Sequence, residues 1–196
     1  MEFIKNYENK NSLELYISEI ENNLENKNYI SALHLALSIP DMLGKVAFPE
    51  LSSTRKRYIK WFDENVRNIN FGYLYSKEPF DVGEGFPKMS GIVCYALRCS
   101  MFHEGANDIV DSNDTCLINE FVLSLTDEDF VSGNTAGIFP VRWNLDGTID
   151  ENKFLYVSCK GLCKELVAAA REYFKRNPNL VYPHIRINKY GGKSSL

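Results

Sequence analysis

Residues 95–105 read Y-A-L-R-C-S-M-F-H-E-G. Ile92, Val93, Ala96 and Leu97 recur at helical spacing behind Ser90, a suitable N-cap, and Gly105 suits the end of the same helix. Its last turns carry Arg98 and His103, five positions apart. Arginine presents a planar fork of donors that matches a phosphate, and histidine moves a proton near neutral pH. The pair therefore has the means to cleave RNA by internal transfer. Arg98 stabilises the charge that builds on the phosphorane, and His103 serves as base or acid at the 2′ or 5′ oxygen. Neither role calls for a metal.

Toward the N-terminus the helical period continues. Leu13, Tyr16, Ile17, Ile20 and Leu24 mark an amphipathic helix that Asn11 or Ser12 caps. Residues 29–39 are apolar almost all round, interrupted by Ser31, His34 and Ser38, as in a central helix. Pro40 is expected to kink or end it, with Asp41 capping a short continuation through Met42, Leu43 and Val46. A further helix follows Ser52 and Ser53, with Tyr58, Ile59, Phe62 and Val66 on one side and Trp61 read as packing. Residues 70–88, with Gly72, Pro79, Gly83, Gly85 and Pro87, read as a long loop and a candidate lid, without a phosphate-binding glycine signature.

Beyond Gly105 the period changes to two. Phe121, Leu123 and Leu125 alternate with polar or smaller residues, as do Phe139, Val141, Trp143 and Leu145. Asp146-Gly147 favours a turn, and 154–158 a return strand. The D-G-T-I-D stretch at 146–150 reads as a turn, since it lacks calcium-loop spacing. The last helix spans 159–177, is closed by Asn177-Pro178, and leaves a tail over 178–196. The expected class is α+β, mainly α, in a single domain over 1–196: a helical core over 11–105, a small antiparallel β insert over 112–158, then the last helix.

Arg-x4–6-His spacings arise by chance roughly 0.4 times in such a chain, so context carries the argument. I-P-D at 39–41, R-Y-I-K-W-F-D-E at 57–64 and Y-A-L-R-C-S-M-F-H-E-G together resemble the HEPN superfamily, specifically a group of small bacterial proteins of that kind. The resemblance covers about 11–105 and the last helix. It implies a HEPN-like helical bundle, endoribonuclease activity of toxin or phage-defence type, and a homodimer. Arg98 and His103 then carry catalysis, with Cys99, Ser100 and Glu104 in support. Where the family often has Asn or Asp after the arginine, this chain has Cys99; Ser100 offers hydrogen bonds nearby.

On an ideal α-helix five residues span a rotation of about 140°, so Arg98 and His103 flank one another rather than share a face. Either the helix unwinds near His103, or two subunits combine their motifs in one groove. The plainer reading gives His103 to the helix dipole and Arg98 to a carboxylate such as Glu104 or Asp41.

A net charge of −4 over 196 residues excludes a protein that coats nucleic acid by bulk positive charge. A local basic site remains: R-K-R-Y-I-K at 55–60 makes Arg55, Lys56, Arg57 and Lys60 candidate RNA-binding residues, against a plain solvated helix face. Five cysteines without a C-x-x-C pair suit reduced thiols, and Cys159 and Cys163 lack the histidine pattern of a zinc site. No metal or cofactor is expected. The start lacks a signal-peptide core and no apolar run spans a membrane, so the expected location is cytoplasmic. Expected partners are RNA, a second copy and an antitoxin or defence-system protein. The alternatives are a catalytically silent HEPN-like module binding RNA, nucleotide or protein, and an accessory protein whose β insert is the interaction surface.

Overall fold

Helices dominate the computed structural model, which describes residues 7–66, 90–104, 120–125, 136–139, 142–143, 149–150, 154–179 and 184–188. They are α1 (Ser12–Glu25), α2 (Tyr29–Ala36), α3 (Ile39–Ala47), α4 (Thr54–Asn65), α5 (Gly91–Cys99) and α6 (Cys159–Arg176). A π turn over Ser100–Glu104 extends α5. Helix α1 packs on α2, α2 on α6, α3 on α4 and α4 on α5. Each contributes to one core: Leu13, Ile17 and Ile20 from α1, Leu33 and Ala36 from α2, Leu43 from α3, and Tyr58, Trp61 and Phe62 from α4. Val93, Cys94 and Leu97 of α5 and Leu162, Cys163 and Leu166 of α6 complete it. Each such leucine contributes about 1.5–3 kcal/mol by leaving water. Trp61 is fully buried and lies edge-on to Tyr173 with ring centroids 5.9 Å apart, as the packing reading has it.

Local chemistry fixes the helix ends. The Ser53, Ser90 and Ser158 hydroxyls accept from the backbone N–H groups of Lys56, Val93 and Gly161, each three residues on. Helix α1 ends in a Schellman turn: Lys27 stands at φ 59°, its N–H donates to Leu24 O, and that of Asn28 to Asn23 O. The break before α3 falls at Leu37 and Ser38, ahead of the proline. Pro40 occupies the first turn of α3, where its missing N–H has no helical partner to lose. Asp41 is therefore not a cap, a correction to the expectation; its carboxylate is engaged elsewhere.

Helix α5 approaches α4 very closely. A Cβ on Gly91 would stand 2.5 Å from the carbonyl oxygen of Ile59, and one on Gly44 2.7 Å from that of Arg57. The Gly91 N–H also donates to Asp63 Oδ1 at 2.6 Å. Burial raises the Asp63 pKa, and this hydrogen bond works against the rise.

Strands β2 (Glu120–Ser124), β6 (Phe154–Ser158) and β3 (Ala136–Phe139) form one sheet in that order. The sheet is mixed, which corrects the antiparallel expectation: β2 runs parallel to β6 with Leu123 opposite Val157, while β3 is antiparallel to β6. Period-two alternation shows which residues face the core, and Phe121 and Val157 do so, but it is blind to strand direction. Strands β4 (Arg142–Trp143) and β5 (Ile149–Asp150) pair antiparallel. Asp146-Gly147 between them, and the candidate lid over 70–88, lie outside the described residues. A further antiparallel pair joins β1 (Tyr7–Asn11) to β7 (His184–Asn188), so the tail contains a strand. No helix among the described residues is long and apolar enough to cross a membrane.

Candidate functional site

Helix α5 buries Val93, Cys94 and Leu97, and this phase puts Arg98 at the edge of the core beside the first turn of α3. Nε of Arg98 donates to Asp41 Oδ2 at 3.1 Å, Nη2 forms an ion pair with the same oxygen at 3.1 Å, and each side chain keeps 21% of its surface exposed. Asp41, one of the two carboxylates open to Arg98 in the sequence, meets it here. Asp41 Oδ1 is buried and has no hydrogen-bond partner among the described residues. Burial pushes the Asp41 pKa up, and the Arg98 and Arg57 guanidinium groups pull it back only in part. At Arg98 burial works to lower the pKa, but Asp41 and the Cys99 side chain outweigh it and the net shift is upward.

Aromatic rings surround the guanidinium. Its central carbon lies 5.9 Å from the ring centroid of Tyr95 and 5.3 Å from that of Phe102, three residues before it and four after. Burial, with the neighbouring Cys99 side chain adding to it, raises the Tyr95 pKa. Tyr95 packs edge-on against Tyr58, whose hydroxyl lies 3.3 Å from Cys94 Sγ. Burial pushes the Cys94 thiol up to about 12, so it stays protonated and unreactive.

Between Arg98 and His103 the backbone changes from α to π winding. Ser100 caps α5, its N–H donating to Ala96 O and Leu97 O, and is half-buried. A π turn rotates less per residue than an α turn, so the backbone rotation from 98 to 103 is smaller than the 140° or so of a continuous α-helix. The side chains of His103 and Glu104 lie outside the described residues.

His34 meets this turn from α2. Its Nδ1 lies 2.9 Å from Ile30 O and its Nε2 3.4 Å from Met101 O, while its ring stands at 76° to that of Phe102 with centroids 5.1 Å apart. A neutral ring can donate to only one of those carbonyls. In the sequence His34 stands as a polar interruption of an apolar, central helix, and nothing there links it to the 95–105 stretch. Phe102 was passed over, although its place four residues after Arg98 is the signal that marks it.

The basic stretch on α4 divides. Arg55, Lys56 and Lys60 are exposed, with Lys60 Nζ 4.3 Å from the Phe48 ring centroid. Arg57 turns back against its own chain: Nη1 donates to Leu51 O at 2.6 Å, Nη2 to Thr54 Oγ1 at 3.2 Å, and Nε is buried. Its charge reaches Asp41 instead.

Two adjoining depressions of about 480 and 450 Å³ lie between α4 and α6, shared by Asn65 and Arg176, which hydrogen-bond at 2.9 Å. Residues 95–104 line neither of them. Among the described residues no three His, Cys, Asp or Glu side chains gather as a metal site would require, and the described cysteines are free thiols. No family model matches the chain, and neither the curated proteins nor the solved structures contain a match.

Proposed function

We propose that this chain is a metal-independent endoribonuclease of toxin or phage-defence type, in which Arg98 holds the scissile phosphate and His103 moves the proton. The observation that carries the reading is the π turn between the two, because it lessens the splay that separates them on an α-helix. The reading takes the helices as a HEPN-like bundle, in keeping with the resemblance of residues 11–105.

In the proposed step the 2′ oxygen attacks phosphorus and the bond to the 5′ oxygen breaks, leaving a 2′,3′-cyclic phosphate and a 5′-hydroxyl. A base takes the 2′-hydroxyl proton and an acid protonates the leaving oxygen; His103 fills one of these roles. A second copy supplies the other, which is the reason for proposing a homodimer whose two motifs face one groove. Arg55, Lys56 and Lys60 extend the phosphate contacts, and an antitoxin or defence-system protein restrains the site in the cell.

Purified protein incubated with RNA and EDTA is expected to yield 2′,3′-cyclic phosphate ends, and His103→Ala to abolish them. Cleavage that returns only with added Mg²⁺ or Mn²⁺ would refute the mechanism. For the dimer, mixing Arg98→Ala with His103→Ala subunits should restore part of the activity; a fully active monomer by light scattering rules out a shared site.

Two observations favour a second reading, a catalytically silent module that binds RNA, nucleotide or protein. Asp41 already occupies Arg98, and Cys99 stands where the family often has Asn or Asp. RNA bound but never cut, over all divalent ions and buffers, decides for that reading.

A further inference from the structure

Phe102 leaves 42% of its surface to solvent, and Ile30, one turn before His34, leaves 39%. An exposed phenyl ring forgoes the stabilisation that burial brings. The ring is nonetheless held in place. The Arg98 guanidinium lies 5.3 Å from its centroid, and His34, anchored at Ile30 O, stands at 76° to it. A preorganised aromatic ring open to water therefore sits beside the guanidinium to which the proposed function gives the phosphate.

A nucleotide brings a phosphate and a flat base together. We infer that Phe102 is the stacking platform for an unpaired nucleobase next to the phosphate on Arg98, so that the substrate is single-stranded RNA. This rests on the reading of Arg98 as a phosphate ligand. In a duplex the base faces are occupied by their own neighbours, whereas a splayed strand can lay one on a protein ring. Stacking also suits a chain of net charge −4, whose bulk electrostatics favour no polyanion and whose affinity must come from local contacts.

The same exposed residues would suit an apolar protein surface. RNA fits better, because the ring carries a guanidinium over it. Among the described residues only Leu125 joins Ile30 and Phe102 as an exposed large hydrophobic, so the apolar surface is small.

The test is equilibrium binding of a fluorescent 2′-O-methyl RNA, which cannot undergo internal transfer, as a single strand and as a duplex. Wild type should prefer the single strand. Phe102→Ala and Phe102→Leu should weaken that binding by about 10- to 100-fold, the size of one stacked base, while Phe102→Trp keeps it. Far-UV circular dichroism checks that each variant folds, and the tryptophan variant, which retains a ring, guards against a folding artefact. Wild-type-like binding by Phe102→Leu, or equal affinity for the duplex, overturns the stacking role and leaves the proposed nuclease standing. A change in oligomeric mass with RNA binding unaltered also overturns it, by assigning the patch to a protein partner. Failure of wild type to bind either RNA overturns the reading of Arg98 beneath it.

Discussion

Gly91→Ala should destabilise the protein by about 1–3 kcal/mol, toward the upper end of what overpacking a core costs. In an exposed helix the same change would stabilise by up to about 1 kcal/mol, because alanine restricts the unfolded chain and favours helix. The sign reverses here because the new methyl would stand 2.5 Å from Ile59 O and 2.8 Å from Ile59 Cα. Those are backbone atoms in the middle of α4, and no side-chain rotation removes them. The relief is for α5 to move away from α4, which lengthens the 2.6 Å hydrogen bond from Gly91 N–H to Asp63 and loosens Val93 and Cys94 in the core. Gly44→Ala, at 2.7 Å from Arg57 O, should lose less. Urea unfolding of both variants measures the effect. A Gly91→Ala protein as stable as wild type would mean that the α4–α5 contact is looser than the structure has it.

The contrast between Gly91 and Ser90 shows how much of this fold the sequence held. Ser90 announced the start of α5 by local chemistry, and Ser53 did the same for α4. The 3.6-residue pattern through Leu13, Ile17 and Ile20 placed the buried face of α1, because periodicity reports which side of a helix leaves water. What faces that side is a different matter. Nothing around Gly91 names Ile59 as its neighbour, and nothing in Phe121 and Leu123 states that β2 runs parallel to β6. The polar β1 stretch Y-E-N-K-N has no apolar alternation at all; its pairing with β7 rests on backbone hydrogen bonds, which side-chain patterns do not encode.

The site divides along the same line. Arg98 was legible from its donors and its place near a helix end. Unwinding near His103 was one of two alternatives there; that it takes the form of a π turn depends on which backbone hydrogen bonds win at the end of α5. Arg57, in a run of basic residues, read as a candidate RNA contact or as part of a solvated face; that it bonds Leu51 O and lends its charge to Asp41 follows from how α4 meets α3.

On the proposed mechanism, Arg98→Ala should reduce RNA cleavage by about 10²–10³-fold, the usual loss when a donor to a transition-state oxyanion is removed. Lysine should not rescue it well, because an ammonium lacks the planar fork. The loss alone would not separate catalysis from structure, since Arg98 also neutralises Asp41. The pair is 21% exposed on each side, so removing the arginine should cost about 1–2 kcal/mol, between an exposed pair and a broken buried one.

The two roles separate by pH. Burial holds the Asp41 pKa above its ordinary 3.8 in the folded protein, with Arg98 and Arg57 resisting. Between 3.8 and that raised value the folded state binds more protons than the unfolded one, so stability falls as pH rises through the window and is level above it. Without Arg98 the folded pKa climbs further. The window then extends upward, and the fall in stability across it deepens. Urea unfolding from about pH 4 to pH 8 should therefore show wild type and Arg98→Ala diverging as pH rises. Parallel curves would show that Asp41 does not feel the loss. Adding Asp41→Asn removes the buried charge itself: the double variant should recover most of the stability and lose the extra pH dependence, yet cleave no better than Arg98→Ala. Recovery of cleavage together with stability would make Arg98 a positioning partner of Asp41 rather than a phosphate ligand.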